Sequence, residues 1–543
     1  MKKYNYICLV FLWIVSVPLF SEIKRLKYND GLCTIKKYEI LDIAFNVNKL
    51  DQEPFELDVK AIFKSPSGEE KLINLFYNGD TEYILRFSGY EPGEWTYRIM
   101  SSDQSLNSKK GIINVSDIPY SNRKGAIQLN DKYPHSFFWE NKDPYFAMAF
   151  ECDFIYALDY LKPQTKRLSH FLDGIADNGF NQIVMNVYAH DVVWEKDSLL
   201  KEYPQYEFGA DSTIYPFLGH NGDPDHSALN TNFFKHFDKV VEEMNDRNMV
   251  AHLMIYVWNK AVNWPEIASD EDNRYFDYII KRYQAFTNVV WDISKEALFY
   301  GVVGDEYIKE RIGRVKKLDS YGRLVTVHDF GFCNRNKELV DFISCQDWSL
   351  QIYNSMLNAY KKFAGKPVFN IEHGGYEESS FKVFTGSYTN AEYCLRRNYE
   401  CAFAGVYSTY YWQATSWNVI IYDWDVQSDL YKPRFDYFKH FDDFFTEYPF
   451  YKFSPYPSFN SSGYCLKGQD DIYLIYVPKE SLKVALNKLQ KESKALSYQW
   501  FNTHTGEYSD VEKSNEMNIF AIPQSPWYMH HDAILIVKVL EQK

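Results

Sequence analysis

Residues 366–376, Lys-Pro-Val-Phe-Asn-Ile-Glu-His-Gly-Gly-Tyr, contain the pattern that decides the fold of this 543-residue chain. A proline opens a short apolar run, Glu372 ends it, and two glycines follow that allow the backbone to turn sharply. The pattern predicts a buried parallel strand with a carboxylate at its C-terminal end. Because barrel enzymes carry their catalytic groups at that end of the strands, we expect Glu372 to be catalytic.

Strand-like runs alternate with amphipathic helices on both sides of this segment. The predicted strands are residues 145–150, 182–187, 249–256, 289–293, 324–328, 341–346, 367–371 and 405–412. Helices are expected between them, for example at 163–178 and 231–248, where apolar residues recur on one face. Eight such units predict an α/β fold, a (β/α)8 TIM barrel. A doubly wound open sheet is the alternative, but the Gly-rich dinucleotide fingerprint expected after its first strand is missing.

Short alternating strands with turns between them occupy both ends of the chain. Residues 55–63 alternate with period two and are followed by a turn at 65–68, and strands return after about residue 446. This spacing is typical of β-sandwiches. We therefore expect four regions, which are a signal peptide at 1–21, an N-terminal β-sandwich at 22–118, the catalytic barrel at 119–446 and a C-terminal β-sandwich at 447–543.

The N-terminus has the features of an export signal. Lys2 and Lys3 precede an apolar run at about 7–20, which is short for a membrane span. No later segment reaches the run of about 20 apolar residues that a span needs. We therefore expect a secreted or periplasmic protein without stable membrane insertion after signal cleavage, and an uncleaved anchor is the alternative.

The composition narrows the classes of partner. A net charge of −14 argues against nucleic acid or an anionic membrane surface. The 13 Trp and 45 Tyr residues suit stacking against sugar rings, although we expect most of them to fill cores. Eight cysteines without a CxxC pair argue against a disulfide framework or a zinc site. We interpret the His-containing run at 220–226 as a turn-rich loop, and we expect neither a metal nor a cofactor.

A second predicted strand also ends in a carboxylate. Residues 288–297, Asn-Val-Val-Trp-Asp-Ile-Ser-Lys-Glu-Ala, place Glu296 at the exit of the fourth strand. In a barrel, the ends of strands four and seven face each other across the mouth. Two carboxyl groups about 5–5.5 Å apart suit retaining glycoside hydrolysis, in which one attacks the anomeric carbon and the other transfers the proton.

In their order along the chain, these motifs resemble those of clan A glycoside hydrolases. The chain is more similar still to bacterial apiosidase-like barrels that carry an N-terminal sandwich of unknown function and a small C-terminal β-domain. The stretches that carry the resemblance are residues 92–97, 179–181, 185–191, 290–296 and 366–372. The resemblance implies that Glu296 is the acid/base and Glu372 the nucleophile.

One position departs from the pattern of these families, and two other acids compete with Glu296. Lys295 stands where clan A enzymes usually have an Asn that bonds the sugar 2-hydroxyl. Either another group bonds this hydroxyl, or the substrate differs there, or the cation contacts an anionic sugar. Some apiosidase-like relatives use an Asp near strand four, which makes Asp292 a rival, and Glu306 is a weaker one. We prefer Glu296 because it lies at the strand exit and Asp292 lies inside the strand.

Polar and aromatic residues follow most of the other predicted strands, where their side chains would point into one bowl. Such a mixture suits a sugar site, with aromatic platforms and groups that bond hydroxyls. Glu151 and Asp153 follow strand one. The residues expected to bind substrate are Asn186, His190, Trp258, His328, Asp347, His373, Tyr376 and Trp412.

The sequence thus predicts a secreted glycoside hydrolase that cleaves a poly- or oligosaccharide by a retaining mechanism. A non-catalytic carbohydrate-binding or surface-adhesion protein on a degenerate barrel is the alternative, and the Lys295 departure is the feature that favours it. The sequence gives no prediction of the oligomeric state.

Overall fold

The computed structural model describes residues 23–28, 31–49, 53–191, 195–208, 213–383, 388–427, 432–481, 483–486, 495–514, 519–521 and 531–540. The predicted signal peptide at 1–21 lies outside these residues. Within them, none of the helices has both the length and the apolar character that crossing a bilayer requires.

The N-terminal region forms two β-sheets that pack face to face. Their strand orders are β1-β3-β7-β6 and β2-β9-β8-β4-β5. The alternation of apolar and polar residues produces the buried layer between the two sheets. In β8, for example, Trp95, Tyr97 and Ile99 are buried while the residues between them are exposed. The strands are β1 (Lys24–Lys27), β2 (Leu32–Lys37), β3 (Ile40–Asn46), β4 (Val59–Lys64), β5 (Glu70–Asn74), β6 (Phe76–Tyr77), β7 (Glu82–Ser88), β8 (Gly93–Ser101) and β9 (Lys110–Pro119).

The middle of the chain forms a parallel barrel with smaller paired strands around it. Its strand order is β19-β18-β17-β14-β13-β24-β21-β20. The strands of this region are β10 (Ile127–Leu129), β11 (Phe137–Trp139), β12 (Pro144–Tyr145), β13 (Met148–Glu151), β14 (Gln182–Asn186), β15 (Phe217–His220), β16 (Asp223–Leu229), β17 (Val250–Val257), β18 (Val289–Lys295), β19 (Val325–His328), β20 (Ile343–Gln346), β21 (Val368–Glu372), β22 (Tyr376–Glu377), β23 (Tyr388–Thr389) and β24 (Tyr407–Tyr410).

Strands β19 and β20, at the two ends of this sheet, also approach each other. The Asp341 amide donates to the Val325 carbonyl at 2.8 Å, and the hydroxyls of Thr326 and Ser344 are 2.9 Å apart. The sheet therefore nearly closes on itself. The (β/α)8 barrel with flanking β-rich regions that the sequence predicts is confirmed.

Helices connect the barrel strands and bury one apolar face each against them. In α1 this face consists of Leu168, Phe171, Leu172 and Ile175. The α-helices are α1 (Lys166–Asp177), α2 (Thr231–Asp246), α3 (Asp270–Tyr283), α4 (Asp305–Leu318), α5 (Phe330–Arg335), α6 (Ile352–Lys362), α7 (Ala391–Phe403) and α8 (Phe435–Glu447). The 3-10 helices are Tyr120–Asn122, Ile155–Ala157, Ser198–Glu202, Pro204–Tyr206, Gln413–Thr415, Phe450–Lys452 and Pro457–Phe459.

The first barrel strand differs from its predicted range of 145–150. Tyr145 belongs to β12, which pairs with β11 outside the barrel, and the barrel strand starts at Met148. Asn181 explains the break, because its side chain accepts from the Met148 amide at 3.0 Å and donates to the Phe146 carbonyl at 2.9 Å. A side-chain hydrogen bond of this kind does not show in the hydrophobic pattern.

The C-terminal region forms a six-stranded sheet, in the order β25-β26-β27-β32-β29-β30, with a separate β28-β31 pair. Strand β27 shows how the sheet covers the barrel. Leu474 and Tyr476 pack into the barrel core, while Tyr473, Ile475 and Val477 face a core of the C-terminal region. The strands are β25 (Ser454–Pro455), β26 (Cys465–Lys467), β27 (Ile472–Val477), β28 (Lys483–Ala485), β29 (Leu496–Asn502), β30 (Glu512–Ser514), β31 (Ile519–Ala521) and β32 (Ala533–Val539).

A buried charge cluster joins the N-terminal sheets to the barrel. Arg86 on β7 donates to both oxygens of Asp42, at 2.7 and 2.8 Å, and to both oxygens of Asp238 on α2, at 3.0 and 2.8 Å. Arg282 on α3 adds two bonds to Asp238, at 2.8 and 2.7 Å. The two guanidinium groups outweigh the effect of burial and lower the pKa of Asp238 to about 2. The cluster fixes the N-terminal region against two barrel helices.

Replacing Arg86 with Met tests this interface. The change removes the cation that Asp42 and Asp238 share and leaves both carboxylates buried. We therefore expect the free energy of unfolding to fall by about 3–5 kcal/mol. Urea titration followed by circular dichroism measures it. Lys439→Ala is the matched control, because Lys439 pairs with Asp443 on the exposed face of α8, and its loss should cost less than about 0.5 kcal/mol. Equal effects of the two substitutions would contradict the assigned role of Arg86.

Candidate active site

Glu296 and Glu372 lie at the C-terminal ends of two barrel strands. Glu372 is the last residue of β21, and Glu296 directly follows β18. Gln346, the last residue of β20, links them. It pairs in register with Glu372, and its side-chain amide donates to Glu296 Oε1 at 2.9 Å. Both glutamates are mostly buried, with 8% and 7% of their surface exposed. The structure therefore brings the two predicted carboxylates to one part of the barrel mouth.

The backbone at Glu296 is in the left-handed region. Its φ is 61°, which is uncommon for a residue other than glycine and costs of order 1–3 kcal/mol. The register between β18 and β19 also shifts between Asp292 and Lys295, and the Glu296 amide donates to the His328 carbonyl at 3.2 Å. The chain thus leaves β18 through a strained turn. This turn directs the Glu296 carboxylate toward Gln346.

Burial is the main influence on the protonation of Glu296. It raises the pKa of this carboxyl, the charge of Lys295 lowers it, and the charge of Glu372 raises it again. The net shift is upward. A raised pKa suits a group that must hold a proton at the working pH.

Three side chains surround the Glu372 carboxylate. The Tyr376 hydroxyl donates to Oε1 at 3.0 Å, Lys295 Nζ lies 3.1 Å from Oε2, and His328 Nε2 lies 3.5 Å from the same oxygen. Burial lowers the pKa of His328 to about 3, and the charge of Lys295 adds to this effect, so the imidazole is neutral near pH 7. Glu372 therefore has one cationic and two neutral neighbours.

Lys295, the residue that departs from the family pattern, lies between two carboxyl groups. Its Nζ is 3.1 Å from Glu372 and 3.6 Å from Glu151, and the side chain is buried. Burial alone would lower the pKa of Lys295, but the acids around it, Glu372 and Asp153 among them, outweigh burial and raise this pKa well above its usual range. Lys295 therefore stays charged and balances part of the negative charge in the mouth.

Glu151 and Asp153, at the end of β13, are in opposite environments. Burial and the nearby charges of Asp153 and Glu372 raise the pKa of Glu151 well above its usual range, despite Lys295. Asp153 pairs with Lys260 at 2.8 Å and accepts from the Asn186 amide at 3.0 Å. The pKa of Asp153 is about 2, because the two lysines outweigh the effect of burial. Neighbouring carboxyls with such different pKa values divide into a neutral acid and an anion.

Several residues predicted to bind substrate have buried polar atoms without a hydrogen-bond partner. Among the described residues, Asn186 Oδ1, Trp258 Nε1, Trp412 Nε1 and both ring nitrogens of His328 have no hydrogen-bond partner. Buried polar atoms are normally paired, so their positions suit hydrogen bonds to a ligand. His190 lies in the loop that follows Asn186 and β14, with Nδ1 3.4 Å from the Tyr188 hydroxyl.

The structure directs three other predicted binding residues away from the carboxylates. The Asp347 carboxylate accepts from the Ser349 amide in its own loop at 2.8 Å and from the Ser355 hydroxyl on α6. The His373 ring contacts the Gly375 amide and Asn398 on α7, each at 3.2 Å. Trp412 is fully buried with its ring 5.8 Å from Phe435 on α8. Side-chain direction alternates along an extended chain, and a placement by strand end alone does not resolve it.

Tyr411, Gln346 and Lys260 are site residues that the sequence analysis did not identify. The Tyr411 ring packs 4.3 Å from Tyr376 and its hydroxyl donates to the Ile371 carbonyl, so Tyr411 faces the mouth where Trp412 does not. Lys260 lies 3.0 Å from the centroid of the Trp417 ring. Side chains alternate in direction along residues 407–412, so neighbouring Tyr411 and Trp412 are expected on opposite faces of the strand. This alternation is the signal that could have distinguished them.

The two acids considered as rivals of Glu296 are engaged elsewhere. Asp292 is fully buried inside β18, where Oδ2 lies 3.0 Å from His252 Nε2 and Oδ1 accepts from the His328 amide at 2.8 Å. Glu306 is exposed on α4 and pairs with Lys309 at 2.8 Å. This geometry favours Glu296 as the partner of Glu372.

Models of known protein families match the barrel and the N-terminal sheets of this chain. A family model described as "Apiosidase-like, catalytic domain" matches residues 159–452, which is more than half of the chain. A second model, described as a domain of unknown function (DUF5060), matches residues 34–102 in the N-terminal sheets. No curated protein matches the sequence.

Solved structures share the fold at low sequence identity. A provisionally assigned glycoside hydrolase from Bacteroides vulgatus ATCC 8482 has a TM-score of 0.73 and 19% identity, and the match covers 94% of this chain and 100% of that one. A glycoside hydrolase family 5 protein from the same organism has a TM-score of 0.54 and 14% identity, over 76% and 93% of the chains. A third structure, described as a glycoside hydrolase, has a TM-score of 0.56 and 14% identity, over 78% and 98%.

The raised pKa of Glu151 predicts a pH-dependent stability. Because folded Glu151 keeps a proton that the unfolded chain releases above about pH 4.3, its contribution to stability is lost as the pH rises above that value. Glu151→Gln removes this loss. We expect the wild type to lose more free energy of unfolding than the variant between about pH 5 and about pH 8, as measured by urea titration.

Glu306→Gln, at an exposed position, is the control and should follow the wild type at both pH values. The same loss of stability in wild type and Glu151→Gln would show that Glu151 is ionised in the folded protein.

Proposed function

The chain belongs to the apiosidase-like catalytic domain family, and we propose that it is a secreted glycoside hydrolase that cleaves O-glycosidic bonds of a poly- or oligosaccharide. The observation that carries this proposal is the pair Glu296 and Glu372 at the ends of the fourth and seventh barrel strands, linked through Gln346. The predicted signal peptide is the reason for proposing export, to the periplasm or the medium. The names of the similar structures, all glycoside hydrolases, agree with this activity.

A double displacement fits the environments of the two glutamates. Glu372, oriented by the Tyr376 hydroxyl and paired with Lys295, attacks the anomeric carbon and forms a glycosyl ester. Glu296 gives its proton to the departing oxygen and then takes one from the water that cleaves the ester. Gln346 occupies Oε1 of Glu296, so Oε2 is the oxygen that can carry the proton.

The surrounding groups supply what a sugar ring needs. Asn186 Oδ1 can accept from a hydroxyl, Trp258 Nε1 can donate to one, and neutral His328 can do either. We propose that Lys295 is the counter-ion of the nucleophile Glu372, because its ammonium lies 3.1 Å from Glu372 Oε2. When the ester forms, Glu372 loses its charge, and Lys295 retains its contact with Glu151.

Substitution of each glutamate with Gln tests the assignment. We expect Glu372→Gln to show no measurable turnover. Glu296→Gln should lose roughly 10²–10⁴-fold in kcat on natural glycosides, since that range is typical for loss of a general acid. It should lose much less on dinitrophenyl glycosides, whose leaving group needs no proton. Glu306→Gln is the control and should match the wild type.

A 2-deoxy-2-fluoro glycoside should label the wild type, and mass spectrometry of its peptides should find the adduct on Glu372. Near-normal turnover by Glu372→Gln would refute the assignment. Binding of glycans with no turnover by the wild type would instead support the carbohydrate-binding alternative.

Lys295→Met tests the role of the cation. Because Lys295 lowers the pKa of Glu296, its removal should raise that pKa and move the alkaline limb of the kcat/KM profile to higher pH. The rate should also fall, since Glu372 loses its ion pair. Lys295→Arg keeps the charge and should keep the limb in place. An unchanged alkaline limb in Lys295→Met would exclude Glu296 as the group that titrates there.

A further inference from the structure

Three side chains from distant parts of the sequence converge where the barrel meets the C-terminal sheet. Glu392 lies in the first turn of α7, His504 in the turn after β29, and His531 just before β32. Glu392 Oε1 is 4.0 Å from His504 Nε2 and 4.0 Å from His531 Nδ1. The three atoms lie within 4.8 Å of one another, and the two imidazole rings stack at 4.2 Å.

Hydrogen bonds fix the tautomer of His504. The Thr503 hydroxyl donates to the Asp532 carbonyl at 2.7 Å, so this hydroxyl must accept the 3.0 Å bond from His504 Nδ1. The proton of the ring is therefore on Nδ1, and Nε2 carries a lone pair. His504 is only 6% exposed, and its Nε2 has no hydrogen-bond partner among the described residues. A histidine that ligates a metal is typically held in this way by its other nitrogen.

Glu392 is oriented so that one oxygen faces the histidines. Lys479 Nζ holds Oε2 at 2.8 Å, which leaves Oε1 directed at His504 and His531. Two other nearby cations are engaged with acids: Arg396 pairs with Asp532 at 2.7 Å and with Glu480 at 3.1 Å, and Arg434 pairs with Asp436 at 2.7 Å. His531 Nδ1 is also a buried atom without a hydrogen-bond partner in the described part of the chain.

We propose that Glu392, His504 and His531 form a binding site for a divalent transition-metal ion of the zinc class. Two imidazole nitrogens and one carboxylate oxygen are a common set of zinc ligands, with water in the fourth position. Imidazole suits zinc, cobalt and nickel better than the hard ions magnesium and calcium. Since zinc bonds to these ligands are about 2.0–2.2 Å long, the three side chains would close around the ion by small movements. The ion would connect α7 of the barrel to two strands of the C-terminal sheet.

Metal content of the full-length protein tests the proposal. After treatment with a chelator, dialysis against zinc chloride and removal of free zinc, we expect about one zinc ion per wild-type chain by elemental mass spectrometry. Cobalt(II) at the same site should give visible d–d absorption bands, and zinc should displace them. Magnesium and calcium should displace neither zinc nor cobalt from the site. Zinc should raise the Tm of the wild type, because it binds the folded state.

Glu392→Gln, His504→Gln and His531→Gln should each raise the zinc Kd by at least roughly 10–100-fold. Loss of a residue that only hydrogen-bonds to a metal ligand already costs that much, and these three residues would be ligands themselves. Glu392 is about one third exposed, so this variant should fold even if His504→Gln does not. His220→Gln, on the exposed β15–β16 hairpin, is the control and should bind zinc like the wild type. No zinc on the wild type, or equal zinc on wild type and Glu392→Gln, would overturn the proposal. Neither outcome bears on the hydrolase assignment.

Discussion

The contact of Lys295 with Glu372 and Glu151 is the interaction on which the barrel mouth depends. Several acids are buried there, and burying a carboxylate without a partner costs several kcal/mol. One ammonium between two carboxyl groups, together with Lys260 on Asp153, reduces this cost. Glu151 meets the remaining cost by staying protonated. The acids of the mouth thus differ in protonation, Glu151 neutral and Asp153 ionised, because few cations are available to them.

The fold was predictable because it follows from periodicity. The barrel strands are buried on both faces, as in β17 where every residue is buried, so the sequence of β17 is apolar except for His252. The helices show a period of 3.6 residues and the flanking sheets a period of two, which separates the regions by pattern alone. The start of the first barrel strand was misplaced because the side chain of Asn181, not the apolar pattern, breaks the strand after Tyr145.

The site was predictable only where a strand end determines it. Glu296 and Glu372 were singled out because each is an acid at the end of an apolar run, whereas Gln346 ends a predicted strand without being an acid and Lys260 lies beyond a strand end. Asp347 and His373 are at strand ends, but Asp347 bonds to its own loop and to α6, and His373 bonds to Asn398 on α7, and the helix contacts depend on how the chain folds. Glu392 lies more than 100 residues before both His504 and His531, so the spacing of this cluster resembles no metal motif. Such contacts become visible only when the chain is folded.

The left-handed backbone at Glu296 also bears on how this fold can evolve. A mutation there to glycine or asparagine, residues that tolerate a positive φ, would remove the acid and relieve the strain in one step. If Glu296 is the acid/base, as proposed, the catalytic acid stands at a position where a single substitution would relieve backbone strain and abolish activity, as expected when activity requires a strained site. Without selection for turnover, this position can lose its acid at little cost in stability. Retention of glutamate at this position would then be a record of selection for hydrolysis.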